Sequence, residues 1–320
     1  MNLVRAEASR LIARRFVQLM LLLLIAAFGV TVATTIAGSH QPTATEITRA
    51  EAEADQQYRE AERWYNQCVT QQELGLPNLD RFPADCEELR PRRPDVTEFL
   101  YGVFVFERQI RPLTYFLVAF LALFGFLVGA SYVGAELTSG GMTNLLLWRP
   151  QRMVVLGTKL GTLLAATLLV SVVAGPLYLG TFWVIAEVRG LPGELDTEFW
   201  RWLGLATGRG LVLVLLVTAI AFAIATVGRH TSAALGAAAA YAVVWEAGAR
   251  IVMEIVETAR PDQWMLSTHI GVWMAGQGRF WDRSACPGDS VLYCDNEWYT
   301  LHWPTSLAVL LAVTAVCVGA

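Results

Sequence analysis

The chain has 320 residues, 55% hydrophobic and 16% charged, with a formal net charge of −4. A soluble domain carries about 25% charged residues, and the apolar residues here gather into runs of about twenty, the length a helix needs to cross a bilayer. A soluble globular enzyme is therefore excluded in favour of an integral membrane protein, with the lipid bilayer as its surroundings and no nucleic-acid partner expected.

Residues 1–15, MNLVRAEASRLIARR, form a basic amphipathic start, and the first apolar run extends from Phe16 to about Ala37. A secretory signal peptide is the rival reading, with ATTIAGSH at 33–40 as a weak cleavage site, but the further apolar runs favour an uncleaved first span. Residues 38–111 are polar. Within them EITRAEAEADQQYREAERWYNQCVTQQ reads as helix, LGLPNLDRFPADCEELRPRRPD as turns, and VTEFLYGVFVFERQIRP as an interfacial stretch ending at Pro112. The second span is read at about 113–133, the third at about 154–185 with a kink at Pro176, the fourth at about 205–227 and the fifth at about 232–256. A Trp-rich segment, 257–302, precedes a sixth apolar run that begins at Trp303 and is still apolar at Ala320. Its eighteen residues would reach only about 27 Å, so the sequence shown is expected to stop inside a span.

Orientation follows from basic residues in short segments. Arg5, Arg10, Arg14 and Arg15 precede the first span; Arg149, Arg152 and Lys159 follow the second; Arg229 follows the fourth. With six spans these share one side, which should be cytoplasmic, leaving 38–111, the short 188–203 loop and 257–302 outside. Cys68 and Cys86 fall in the first outer region, Cys286 and Cys294 in the last, and Cys317 within the sixth run. Two pairs in one oxidising compartment suggest two disulfides, the alternative being free thiols placed by chance. His269 and His302 are not at zinc-ligand spacing from these cysteines, so no metal site is expected.

Between the second and third runs stands GAELTSGGMTNLLLWRPQRMVVLGTKLG, residues 134–161, which holds the chain's sole lysine. Glu136 closes the second run, Ser139 to Gly141 interrupt the helix, and MTNLLLW can form two turns with Leu145, Leu146 and Trp148 as an apolar patch before Pro150 stops it. Arg149, Arg152 and Lys159 are then expected at headgroup level. Such a short surface helix is either a docking element or an anchor that touches only lipid.

This segment resembles the permease subunits of the second type of bacterial ABC exporter, which carry a Glu, Gly-Thr, a Leu-rich turn, Pro, Arg and Lys between their second and third spans. Glu136, Gly141, Leu145, Leu146, Pro150, Arg152 and Lys159 match; Met142 stands where Thr is usual, and Arg152 is one residue nearer Pro150 than usual. The resemblance implies that two protomers, identical or different, pair in the membrane, and that a separate ABC ATPase docks on a cytoplasmic helix at 138–150. ATP and Mg would belong to that ATPase. The chain has no G-x-x-x-x-G-K-[ST] phosphate loop, and its lysine stands in GTKLG without the required spacing. It binds no cofactor of its own in this reading. No Ser-His-Asp or H-E-x-x-H constellation marks a catalytic residue.

Three further features bear on function. Gly125/Gly129 and Gly157/Gly161 form small-residue steps, suited to packing within one protomer or at a dimer seam. Trp183, Trp200, Trp202, Trp298 and Trp303 read as interfacial belt residues. Glu246, Arg250 and Glu254 are spaced by four on the fifth run, either a structural ion-pair ladder or a polar patch on the transport pathway.

The expected fold class is all-α: a polytopic plasma-membrane protein with six transmembrane helices, a cytoplasmic N-terminus and a small, mostly helical extracellular domain between the first and second spans. Its domains are 1–37, start and first span; 38–111, extracellular domain; 112–256, spans two to five; 257–302, extracellular loop; and 303–320, sixth span. The function read is an exporter permease. The competing reading is a non-transporting membrane sensor or scaffold with an extracellular domain.

Overall fold

The computed structural model describes residues 2–74, 82, 85–138, 151–282 and 298–319. Among them are five helices long and apolar enough to cross a membrane: Arg15–Ala37, Phe106–Thr138, Met153–Arg189, Thr197–Val227 and Thr231–Ile255, with the shorter apolar helix Trp303–Gly319. The protein is thus a mostly helical, multi-pass membrane protein. The chain divides into two compact units, one of residues 1–29, 111–178 and 196–320, the other of 30–110 and 179–195.

The first unit begins with α1 (Asn2–Ile12), followed by α2 (Arg15–Ala37). Its other long helices are α4 (Phe106–Thr138), α5 (Arg152–Arg189) and α6 (Thr197–Val227). Pro112, expected to end the interfacial stretch, lies inside α4, and Pro176, expected to kink the third span, lies inside α5. The core joins Leu11 and Val17 to Phe124, Val128 and Val133 of α4, Leu163 of α5, and Ala221 and Phe222 of α6. By contrast α2 buries only Val17 and leaves its other apolar side chains exposed or half-buried, as a helix hydrophobic all round does when lipid is its solvent.

The fifth apolar run is composite. It starts as α7 (Thr231–Ala240), continues through Tyr241–Ala249 with wider π-type winding, and closes as α8 (Arg250–Ile255). The Trp-rich segment is not simply a loop. A short turn at Pro261–Trp264 leads into α9 (Leu266–Ala275). Strand β3 (Gln277–Trp281) then pairs antiparallel with β4 (Trp298–His302), directly before α10 (Trp303–Gly319). Both strands alternate exposed and half-buried residues, the period of a two-faced ribbon. This departs from a purely helical expectation.

The second unit is built on α3 (Ala44–Glu73), whose start is fixed by a capping box. The Thr43 hydroxyl accepts from the Glu46 amide, and the Glu46 carboxylate accepts from the Thr43 amide. No Gly or Pro interrupts the thirty residues that follow. Ala50 and Ala54 are fully buried, small enough to admit the turns packed against them. Cys68 of α3 is joined to Cys86 by a disulfide. The unit also includes β1 (Phe104–Val105) paired in parallel with β2 (Gly190–Leu191), so part of the expected 188–203 loop belongs to the compact body of 30–110. Its packing shows in the stacked Phe104–Phe182 pair and the edge contact of Phe106 with Trp183.

Candidate functional site

Lys159 stands about two turns into α5, and its side chain has no solvent exposure. The sequence places it at headgroup level beside Arg149 and Arg152; the structure instead buries it between two carboxylates. Its ammonium lies 2.6 Å from Glu7 Oε2 and 2.7 Å from Glu136 Oε2. Glu7 comes from α1 and Glu136 from the last turn of α4. The Tyr132 hydroxyl, one turn before Glu136, donates to the same Glu7 oxygen at 2.5 Å. Arg14 pairs with the other oxygen of Glu136 and donates to the Ser131 carbonyl at 3.3 Å. The Tyr132 ring takes the Arg14 guanidinium at 4.8 Å and the Lys159 ammonium at 5.0 Å, so it packs against both cations. Arg10 reaches Glu7 Oε1 at 3.2 Å from the exposed side.

Two carboxylates and two enclosed cations therefore balance, which is the condition for burying charge at all. Burial alone would raise the Glu7 carboxyl. Hydrogen bonds from Lys159 and Tyr132, with the charges of Lys159 and Arg10, outweigh it and hold Glu7 below its ordinary carboxylate value. Glu7 therefore carries its charge at neutral pH. What the network can do is mechanical: it ties α1, α4 and α5 together at the ends that flank residues 139–150.

Of the expected docking residues, Glu136 and Lys159 meet in this network. Gly141, Leu145, Leu146, Arg149 and Pro150 lie outside the described residues, and Arg152 opens α5. Glu7 and Tyr132 were not singled out from the sequence, and Arg14 was read only for orientation. A signal existed: Glu7 is the sole carboxylate before Glu46, set in an arginine-rich start, and Lys159 is the sole lysine.

The Glu246–Arg250–Glu254 series is divided by the π-wound stretch. Glu246 accepts from the Ser267 amide at 2.9 Å, the Ser267 hydroxyl at 2.7 Å and the Tyr241 hydroxyl at 3.0 Å. It thereby caps the start of α9, whose own N-terminal residue supplies no side-chain cap. Arg250 pairs instead with Glu254 at 3.5 Å and Asp262 at 3.2 Å. The Arg250–Glu254 step of the series is thus an ion pair at i,i+4, whereas among the described residues no Glu246–Arg250 ion pair forms.

The two glycine steps also differ. A side chain at Gly129 would come within 2.9 Å of the Thr218 carbonyl, and one at Gly125 would collide with the Thr218 hydroxyl, so this step seats α4 against α6. Gly157 and Gly161 have open space beside them and line an apolar groove of about 770 Å³ between α1 and α5. Among the described residues no group of three His, Cys, Asp or Glu side chains is arranged to hold a metal ion. Cys286 and Cys294 lie outside the described residues.

Compared with known proteins, residues 1–270 match the family model described as ABC-2 family transporter protein. No curated protein and no solved structure matches the chain significantly.

Proposed function

The chain belongs to the ABC-2 family of transporter proteins, and from that premise we propose that it is the permease subunit of an ATP-driven exporter. Each protomer crosses the plasma membrane six times, the sixth crossing being made by the run that starts at Trp303. The N-terminus is cytoplasmic, and the 38–111 and 257–302 regions face outside. Two permeases, identical or different, pair in the bilayer. A separate ABC ATPase subunit supplies ATP and Mg²⁺ binding and docks on the cytoplasmic 138–150 segment. Its apolar contact is Leu145 and Leu146, with Gly141 and Pro150 bounding the segment and Arg149 and Arg152 at its rim.

The observation that carries this reading is the double ion pair of Lys159 with Glu7 and Glu136. Glu136 closes the helix before the docking segment, and Lys159 lies in the helix after it. With both joined to α1, a displacement of the segment by the ATPase moves three helices together. Glu246, Arg250 and Glu254 give the fifth span a half-exposed polar stretch, which we assign to the outward half of the export pathway.

The test is co-purification with the partner ATPase. Replacing Leu145 and Leu146 with Asp should abolish it, because charge opposes burial of that patch, while the permease keeps its elution volume and its Cys68–Cys86 bond. Recovery of the ATPase at wild-type yield would overturn the docking assignment.

A further inference from the structure

Arg209 lies in the Thr197 half of α6, a candidate span of 31 residues. Its guanidinium is flanked by the rings of Trp273 and Trp303, with centroids at 5.8 and 5.9 Å. The rings are themselves 6.0 Å apart. Trp273 Nε1–H donates to the Arg209 carbonyl at 2.9 Å, which fixes one wall of this slot to the backbone that carries the arginine. The floor is Gly276, at φ +96°, where an added Cβ would stand 2.9 Å from Arg209 Nη1. The Gly276 carbonyl accepts from the Trp303 amide at 3.0 Å, fixing the second wall. Only a glycine permits both this backbone conformation and this approach. The arginine is held in a slot built from α6, α9 and α10.

That slot leaves the charge unanswered. Among the described residues no carboxylate lies within ion-pair distance of Arg209, whereas the buried Lys159 has two. Depth identifies what can answer it. From Arg209 to the end of α6 at Val227 the helix rises about 27 Å, close to the hydrocarbon thickness of a bilayer. Polar Gly228, Arg229 and His230 follow at that end. With that end at one boundary, Arg209 is at the other, the level of lipid phosphates and of tryptophan belts. Its planar fork of donors matches a phosphate's oxygens, and aromatic walls orient the fork without competing for its hydrogen bonds.

We propose that Arg209, held by Trp273, Trp303 and Gly276, binds the phosphate group of a phospholipid in the leaflet on the Thr197 side of α6. The proposal rests on the membrane span alone and does not depend on the docked ATPase.

The test is native mass spectrometry of the full chain, titrated with phosphatidylglycerol, with diacylglycerol of the same acyl chains, and with inorganic phosphate. The wild type should retain one phosphatidylglycerol about tenfold more tightly than diacylglycerol, the scale of one charge-assisted hydrogen-bonded contact. Arg209→Met should remove that preference and leave diacylglycerol retention unchanged. Arg209→Lys, which keeps the charge but loses the fork, should fall between. Equal retention of the two lipids by the wild type overturns the proposal, and this arm decides the matter if Arg209→Met fails to fold. Undiminished phosphatidylglycerol preference in Arg209→Met overturns it as well. Displacement of the lipid by equimolar inorganic phosphate would show a free-phosphate site and overturn the lipid assignment.

Discussion

Glu136 and Lys159 stand on opposite sides of residues 139–150, yet their charged atoms are 2.7 Å apart. A largely buried ion pair thus joins α4 to α5, and Glu7 of α1 adds a second carboxylate. Removing the cation alone should be costly, because two carboxylates would then share a site with Arg14 as the remaining inner cation. Lys159→Met is expected to destabilise the protein by about 3–5 kcal/mol, the range for breaking a buried pair from one side. Adding Glu7→Gln to Lys159→Met should recover part of that loss. Thermal unfolding of the three proteins in detergent measures both effects, and a Lys159→Met cost under about 1 kcal/mol would refute a buried pair here.

The pH dependence has a defined sign. Glu7 is held below the ordinary carboxylate value. Its contribution is therefore complete above the unfolded carboxyl value and lost as pH falls through the lower folded one. Glu46 behaves likewise in the second unit. The Thr43 amide first, then His40, bring it down to about 2. Unfolding midpoints should be insensitive to these two groups from pH 6 to 8; the Glu46 part is lost between pH 4.5 and about 2, and the Glu7 part as pH falls below the ordinary carboxylate value. Replacing Glu46 with Gln should flatten its part of that acid slope. A slope that persists unchanged in both Glu7→Gln and Glu46→Gln would show that other carboxylates set it.

The Cys68–Cys86 bond should be present in protein isolated without reductant, with Cys317 alkylated. It closes a separation of 18 residues, worth roughly 3 kcal/mol in the chain-entropy account. Intact mass after alkylation, with and without reduction, reads the bond directly, and alkylation of both Cys68 and Cys86 before reduction would contradict it. Reduction should lower the protection of α3 more than that of α6, which carries no cysteine.

The apolar runs, the long α3 and the disulfide between Cys68 and Cys86 were legible because each is a local or compositional property. Hydropathy marks a span wherever lipid is the solvent. A polar run with interspersed charges and no Gly or Pro marks a helix whatever it packs against, though its capping box at Thr43 and Glu46 was not read. The Glu7–Lys159 pair was not legible, because nothing in an amphipathic start says which buried cation its one carboxylate will meet. The strand pair Phe104–Val105 with Gly190–Leu191 is two residues long on each side, too short for a period to show. The engagement of Glu246 by Tyr241 and Ser267 was not legible either, because a contact with the start of α9 does not show in spacing along one helix.

The two glycine steps give a comparison within one molecule. Gly129→Val should destabilise the fold by about 1–3 kcal/mol, since added bulk must displace the Thr218 backbone of α6. Gly157→Val meets open space and should leave protomer stability within about 0.5 kcal/mol. Unfolding in detergent separates the two, and equal destabilisation would mean that the groove beside Gly157 is closed in the protomer.

Glu246 tests structure against transport in one residue. It accepts two hydrogen bonds from Ser267 at the start of α9, so Glu246→Ala should cost about 1 kcal/mol, the typical value of a lost cap. The loss should be local, because the first turn of α9 would have an unpaired amide at Ser267. Hydrogen exchange across residues 266–275 should accelerate in Glu246→Ala and much less in Glu246→Gln, whose amide oxygen can still accept. If the same carboxylate also lines the export pathway, Glu246→Gln should lower transport while the cap holds, a separation that a purely structural residue would not show. Unchanged exchange in Glu246→Ala would remove the capping role. Full transport by Glu246→Gln in a membrane that still contains the assembled complex would remove Glu246 from the pathway.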